Sequence, residues 1–362
     1  MARGSIGTVR DERLDIARGI AIVAIVVVHV FRGLYNAGLV DHAATATVDL
    51  LVGPWCLAVF AFVGGTFVPR AVQRRGTASY LRERVVWLAF VYLTWTVLQG
   101  AIQLATSRST NSPTSLTAVL AVWHPLGHLW YLPFLAVVTV VFVPMRPWVR
   151  GHGAWVFGLA AAVSVGFWGY DGGYVGTQGL PLVVFFVAGM IIGSERTKAA
   201  LDRFRRSTAA LVSGVTLAVA TTLSVAGVAI PPTISFDIRT VSTTALGITV
   251  AVVTSAAILL LSHAMRSASL LALLGRRSLD IYLAHIVMAS GARIILVHVG
   301  VTSAWVLVPL CFLSGVAGPL VISNLARRLK FGWIFDGPSF LAPRRPSVPA
   351  TPSAAAPVPL TA

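Results

Sequence analysis

Charged residues are scarce in this chain, and acidic ones most of all. They make up 11% of the 362 residues, with 12 Asp and Glu against 28 Lys and Arg, while 56% of residues are hydrophobic. The mean hydropathy is +0.82. A soluble globular domain carries about a quarter charged residues. The composition therefore excludes a soluble globule and predicts a polytopic membrane protein.

Cysteine is nearly absent as well. Cys56 and Cys311 both lie in apolar stretches, where buried, reduced thiols are expected, so the sequence predicts no disulfide framework. No internal repeat, Gly-rich phosphate loop or second soluble domain is visible. We expect a cytoplasmic segment at 1–15, one transmembrane domain at 16–325 and a cytoplasmic tail at 326–362, disordered because its Pro, Ala and Ser cannot build a core.

Long apolar runs are what the sequence has in quantity. A helix rises about 1.5 Å per residue, so about 20 apolar residues cross a hydrocarbon layer of about 30 Å. We therefore expect an all-α polytopic membrane protein with about ten transmembrane helices in one bundle. The ten runs lie at about 16–35, 48–68, 85–106, 129–144, 154–170, 180–194, 208–230, 242–264, 279–298 and 303–325.

The cations fall on alternate sides of these runs. Six segments hold 24 of the 28 Lys and Arg: the N-terminus through Arg18, then 70–84, 146–150, 196–206, 266–277 and 327–345. The positive-inside rule then places both termini in the cytoplasm. Because the cations are spread over six segments and form no single aromatic-interleaved face, the net charge of +16 does not indicate a nucleic-acid partner. The partner that it predicts is the lipid bilayer.

The first run carries the most informative polar residues. Arg18 and His29 are eleven residues apart, which puts them on one helical face and roughly 16 Å apart along the axis. If Arg18 lies at a membrane face, His29 lies near mid-bilayer, where an ionisable group predicts function. The alternative is a salt bridge between Asp15 and Arg18, with His29 simply bonded to a neighbouring helix.

Two further polar groups remain open to more than one interpretation. His285 and Arg293 share a face of the ninth run. They either form a polar track through this helix, or His285 makes packing hydrogen bonds and Arg293 extends its side chain to the membrane interface. His124 and His128 are spaced like a metal pair, but no carboxylate or cysteine is near and Pro125 separates them. We therefore expect no metal.

Four segments resemble, in order, motifs of the acyltransferase-3 family of bacterial integral membrane acyltransferases. They are RLDIARGIAIVAIVVVH at 13–29, HLWYLPFL at 128–135, FFVAGMIIG at 185–193 and LGRRSLDIYLAHIVM at 274–288. The first helix of the family has an arginine followed, after ten residues, by a histidine, and Arg18 and His29 have this spacing. The entry to the third helix departs from the family's "KRxxRLxxPYxxW": Arg84 matches the first arginine, Trp87 stands at the second, and Val91 replaces the proline.

The resemblance covers roughly residues 10–325 and implies an enzyme of the bacterial cell membrane. Such an enzyme moves an acyl group, with acetyl expected, from cytoplasmic acyl-CoA to a hydroxyl of a carbohydrate or envelope glycan, although some members acylate small molecules such as macrolides. His29 would act as general base or transient acyl acceptor. Arg18 would support catalysis and, with Arg84, would hold the phosphates of CoA.

The acceptor site is expected to draw on the remaining polar and aromatic groups. His285, Trp130 and Arg32 are the predicted substrate contacts. Trp123 and Trp130 flank an interfacial cluster, which belongs either to an ordinary aromatic belt or to a surface that stacks against a sugar at the outer opening. A proton-coupled secondary transporter is the alternative class, because ten helices with intramembrane His and Arg also suit one. The absence of repeat symmetry argues against it.

Overall fold

All regular elements in the described part of the chain are helices. The computed structural model describes residues 11–106, 115–234 and 239–338. Within these ranges eight helical stretches are long and apolar enough to cross a membrane, and two shorter apolar stretches, Gly127–Phe142 and Gly153–Gly166, accompany them. These ten stretches correspond one to one with the ten predicted runs, which confirms the all-α membrane fold.

Fifteen α-helices and two 3-10 turns make up this fold in the described ranges. The α-helices are α1 (Arg13–Tyr35), α2 (His42–Val52), α3 (Cys56–Thr66), α4 (Val68–Arg75), α5 (Thr77–Ala105), α6 (Leu116–Leu120), α7 (Tyr131–Phe142), α8 (Gly153–Gly166), α9 (Val183–Leu201), α10 (Arg206–Val225), α11 (Val241–Ala264), α12 (Ser269–Arg276), α13 (Ser278–His298), α14 (Ala304–Arg328) and α15 (Trp333–Asp336). The 3-10 turns are Gly127–Trp130 and Leu180–Leu182.

The first helix is the centre of the bundle. It packs against α2, α3 and α11 to α14, and its apolar residues are buried on most sides, as in a helix that sits within a core. Its N-terminus is anchored by Arg13, which binds Asp11 at 2.6 Å, Asp202 at 2.7 Å and the Nδ1 atom of His263 at 3.1 Å. The hydrogen bond from Arg13 lowers the pKa of the Asp11 carboxyl.

Glycines allow two pairs of helices to approach closely. A Cβ atom on Gly65 of α3 would collide with the carbonyl oxygen of Phe186, and one on Gly189 of α9 with that of Phe62. Gly275 of α12 meets the α1 backbone in the same way. Only small residues permit backbone contacts as close as these.

The backbone is irregular in two places that border the interior. Residues 53–55 break the second apolar run between α2 and α3, and the turn Gly127–Trp130 leads into the short helix α7. Gly127 has φ +52°, a conformation that glycine adopts without strain. Non-helical backbone of this kind is tolerated within a membrane fold where it faces protein or a cavity.

The helical unit extends past the boundary expected at residue 325. Helix α14 ends at Arg328, and α15 folds back onto α5, where the indoles of Trp87 and Trp95 donate to the carbonyls of Asp336 and Ile334, each at 2.9 Å. The rest of the expected tail, from 339 to 362, lies outside the described residues, as do residues 1–10 of the expected N-terminal segment.

Candidate active site

Three histidines from distant parts of the chain meet in the interior. His29 lies on α1, His128 on the turn before α7 and His285 on α13. The ring centroids are 5.0 Å apart for His29 and His285, 4.7 Å for His128 and His285, and 5.9 Å for His29 and His128. Three imidazoles at these separations can exchange protons with only small rotations or through one bridging water. We call them the histidine cluster.

Hydrogen bonds restrict one member of the histidine cluster. The Nδ1 atom of His285 lies 2.8 Å from the carbonyl oxygen of Tyr282 and 3.0 Å from that of Ile281. Because a carbonyl only accepts, Nδ1 carries the proton, and Nε2 of the neutral ring is left as an acceptor. That Nε2 atom and both ring nitrogens of His128 are buried without a partner among the described residues. Buried polar atoms rarely stay unpaired unless function requires it.

Two cavities lie close to the histidine cluster and share part of their walls. The large cavity, of about 470 Å³, has Arg18, Arg75 and Arg84 in its wall. The small cavity, of about 70 Å³, is bordered by His29 and His128, with Arg32, Trp130, Gln178 and Thr233 completing its polar and aromatic wall. His29 is half-buried and His128 is buried, and both border the small cavity, whereas His285 is fully buried.

The structure brings the predicted arginines Arg18 and Arg84 together in the wall of the large cavity. Arg18 donates to the Ser278 hydroxyl at 3.2 Å, and the Arg84 guanidinium lies 5.0 Å from the centre of the Trp87 ring. Trp87, which occupies the place of the family's second arginine, thus stacks on the first one. Arg75 shares this wall and pairs with Glu83 at 3.3 Å, an association that the sequence did not indicate.

Two of the three predicted acceptor residues line the small cavity, and the third does not. Trp130 and Arg32 line it, and Arg32 is held by Asp49 through two contacts of 3.0 and 3.2 Å. His285 is fully buried behind the other two histidines and lines neither cavity. Arg293 donates to the carbonyl of Gly33 at 3.0 Å, so its side chain binds the end of α1.

Sequence reasoning missed the role that the fold gives to His128. The spacing suggests a pair of His128 with His124. The His124 ring instead stacks on Tyr174, with 4.6 Å between the ring centroids, and its Nδ1 atom lies within hydrogen-bond distance of the Gly173 carbonyl oxygen, at 3.0 Å. The signal that was available is the position of His128 as the first residue of HLWYLPFL. Among the described residues no group of three or more His, Cys, Asp and Glu could hold a metal ion.

The comparison with protein families decides the class of this chain. The acyltransferase domain of the acyltransferase-3 family matches residues 11–324. The chain belongs to the acyltransferase-3 family. This acyltransferase therefore carries its histidine cluster and both cavities inside the catalytic domain of the family. Searches of curated proteins and of solved structures returned no match.

Proposed function

We propose that this acyltransferase moves an acyl group from acyl-CoA, held in the large cavity, to a hydroxyl of a carbohydrate that enters through the small cavity. The observation that carries the proposal is that the two cavities share wall residues beside the histidine cluster. A transferase that takes its two substrates from opposite sides needs such a junction, where the reacting atoms can come within about 3 to 3.5 Å.

The large cavity suits a donor with phosphates at one end and a long arm at the other. Arg18 and Arg84 supply planar, permanent charges that bind phosphate oxygens well. Arg18 and His29 are eleven residues apart on one helix, which is roughly 16 Å along its axis. The extended phosphopantetheine arm of CoA has a similar length, so a donor with its phosphates at Arg18 could present its thioester at the histidine cluster.

His29 is the proposed general base. An alcohol gives up its proton far above neutral pH unless a base lies within hydrogen-bond reach, and imidazole is well matched to that task. His29 borders the small cavity and not the large one, which favours proton removal from the acceptor over capture of the acyl group. The acceptor oxygen attacks the thioester carbonyl carbon, His29 takes the proton, and the departing CoA thiolate receives it when the intermediate collapses.

The wall of the small cavity suits a hydroxylated acceptor. Gln178 and Thr233 offer neutral hydrogen-bonding groups, Arg32 offers a fixed donor, and Trp130 offers an aromatic face. A volume of about 70 Å³ leaves room for a few water molecules, so the acceptor would insert a hydroxyl-bearing edge. Polar groups that receive single hydroxyls beside an aromatic ring favour a sugar as the acceptor.

The charge distribution supports an orientation in a bacterial cell membrane. The large cavity is bordered by arginines from the cation-rich segments at Arg18 and 70–84, which the positive-inside rule places in the cytoplasm with both termini. Acyl-CoA would then enter from the cytoplasm, with acetyl-CoA as the first donor to test, and the acceptor would lie on the outer side.

The test uses purified protein in liposomes with an envelope glycan fraction and acetyl-CoA, and it measures release of free CoA thiol. We expect His29→Ala to reduce turnover by about 10² to 10⁴, the usual cost of losing a general base. His298→Ala, which removes an exposed histidine of α13, is the matched control and should keep wild-type turnover. Equal turnover in wild type and His29→Ala would refute the assignment of His29, and the lack of thiol release by wild type with acetyl and longer acyl donors would refute the proposed function.

A further inference from the structure

Four residues border both cavities and so define their junction. They are Ile25, Leu57, Tyr131 and Tyr282. Ile25 and Leu57 have no polar side-chain atoms. The hydroxyl of Tyr282 donates to the carbonyl oxygen of His128 and holds that turn in place. The hydroxyl of Tyr131 is therefore the polar side-chain group of this junction that the fold does not already use.

The Tyr131 side chain lies in the wall of both cavities. It is buried at the first residue of α7, with Arg18 and Arg84 in the wall of the large cavity and His29 in the wall of the small one. The ring packs against Phe134 at 5.5 Å and Tyr282 at 6.1 Å between centroids. These two ring contacts restrict the orientation of the Tyr131 side chain.

We infer that Tyr131 is a catalytic residue whose hydroxyl donates a hydrogen bond to the thioester carbonyl oxygen during acyl transfer. The inference rests on the proposed function, since it requires a thioester whose carbonyl lies at the junction. When the acceptor oxygen bonds to the carbonyl carbon and His29 takes the acceptor proton, the carbonyl π electrons move to oxygen. The Tyr131 hydroxyl stabilises that negative charge, which returns to the carbonyl as the carbon–sulfur bond breaks and the thiolate leaves.

The position of Tyr131 suits this role because the donor is held before the reaction begins. A hydrogen-bond donor fixed in a water-poor site stabilises developing charge without reorganising, and it acts far more strongly there than in water. Phenylalanine fills the same space without the hydroxyl, which makes Tyr131→Phe a clean substitution.

The experiment compares wild type, Tyr131→Phe and Tyr92→Phe in the thiol-release assay, with kcat and KM for acyl-CoA measured separately. Tyr92 is the matched control because it is a buried tyrosine of neighbouring α5 that lines neither cavity, although its hydroxyl donates to the Val122 carbonyl at 2.6 Å. Thermal unfolding of each detergent-solubilised variant reports on folding.

We expect Tyr131→Phe to lose about 10²-fold in kcat, the lower end of the cost of one such donor, with KM and the unfolding temperature unchanged. Tyr92→Phe should keep kcat within about twofold of wild type. A kcat for Tyr131→Phe equal to that of wild type, an equal loss in both variants, or a rise in KM alone would overturn the inference. Failure of the proposed function is seen separately, as a wild-type protein that releases no thiol.

Discussion

The most quantitative expectation concerns Arg84 in the wall of the large cavity. Its guanidinium is partly buried and lies 5.0 Å from the Trp87 ring centre, so its position is fixed before any ligand arrives. Arg82 precedes it by two residues on the same helix, is exposed, and is absent from that wall. The two arginines carry the same charge at nearly the same depth. They differ in burial, in the contact with Trp87 and in whether they border the cavity.

The magnitude follows from the kind of contact that is lost. A hydrogen bond to a charged group contributes about 1.5 to 3 kcal/mol, and the partial exposure of Arg84 favours the lower end because water screens the charge. At 1.4 kcal/mol for each factor of ten, Arg84→Ala should weaken donor binding about tenfold. Arg82→Ala removes the same charge and should leave donor binding within about twofold.

The assay measures the acyl-CoA concentration for half-maximal thiol release in proteoliposomes, supported by direct binding of a non-reactive thioether analogue of acyl-CoA. Arg75→Ala is unsuitable as a control, because Arg75 borders the same cavity. If Arg84→Ala and Arg82→Ala raise the half-maximal concentration equally, the basic segment attracts acyl-CoA only through its overall charge. The phosphate-binding residues would then lie on α1 alone.

Three further predictions concern the helices around the site. Arg18→Lys should lower turnover at limiting acyl-CoA, because the lysine ammonium keeps the positive charge but lacks the planar guanidinium that binds phosphate through two hydrogen bonds. Normal turnover under those conditions would mean that Arg18 serves only as a charge that sets the membrane topology. Gly65→Ala should destabilise the protein by about 1 to 3 kcal/mol in thermal unfolding, because the added Cβ atom would collide with the backbone of α9. Gly64→Ala is the control and should be neutral, because its Cβ atom would lie 3.8 Å from the Phe186 ring. Equal effects of the two substitutions would contradict the packing argument. Arg32→Gln should raise the KM for the glycan acceptor and not for acyl-CoA, and the reverse pattern would exclude Arg32 from the acceptor site.

The sequence predicts the ten apolar helical stretches, eight of which are long enough to cross a membrane, and the shared helical face of Arg18 and His29 for a physical reason. Bilayer thickness sets the length of an apolar run, and helical geometry relates Arg18 to His29 on one helix without knowledge of its neighbours. Both relations are local in the chain. Arg84 is predicted as a donor contact from the family resemblance and not from these relations, and the structure brings it to the cavity that Arg18 borders.

Contacts between distant elements could not be read from such patterns. His128 meets His29 and His285 because a 3-10 turn points inward between two other helices, and neither periodicity nor spacing specifies which elements become neighbours. The four-residue helix α15 is too short to produce a pattern. It is held by indole-to-carbonyl bonds from α5 and by Arg327, which pairs with Asp336 at 2.7 Å and Asp280 at 3.0 Å.

The central claim is that the donor enters from the end of the bundle where Arg18 lies and reacts at the histidine cluster. Acyl-CoA does not cross membranes, so proteoliposomes sorted by the accessibility of a C-terminal tag allow the donor to be supplied to one side at a time, with the glycan acceptor on both. The account predicts that thiol is released only when acyl-CoA is on the side of the tag, and that His29→Ala abolishes this release. Release only with acyl-CoA on the opposite side would contradict it.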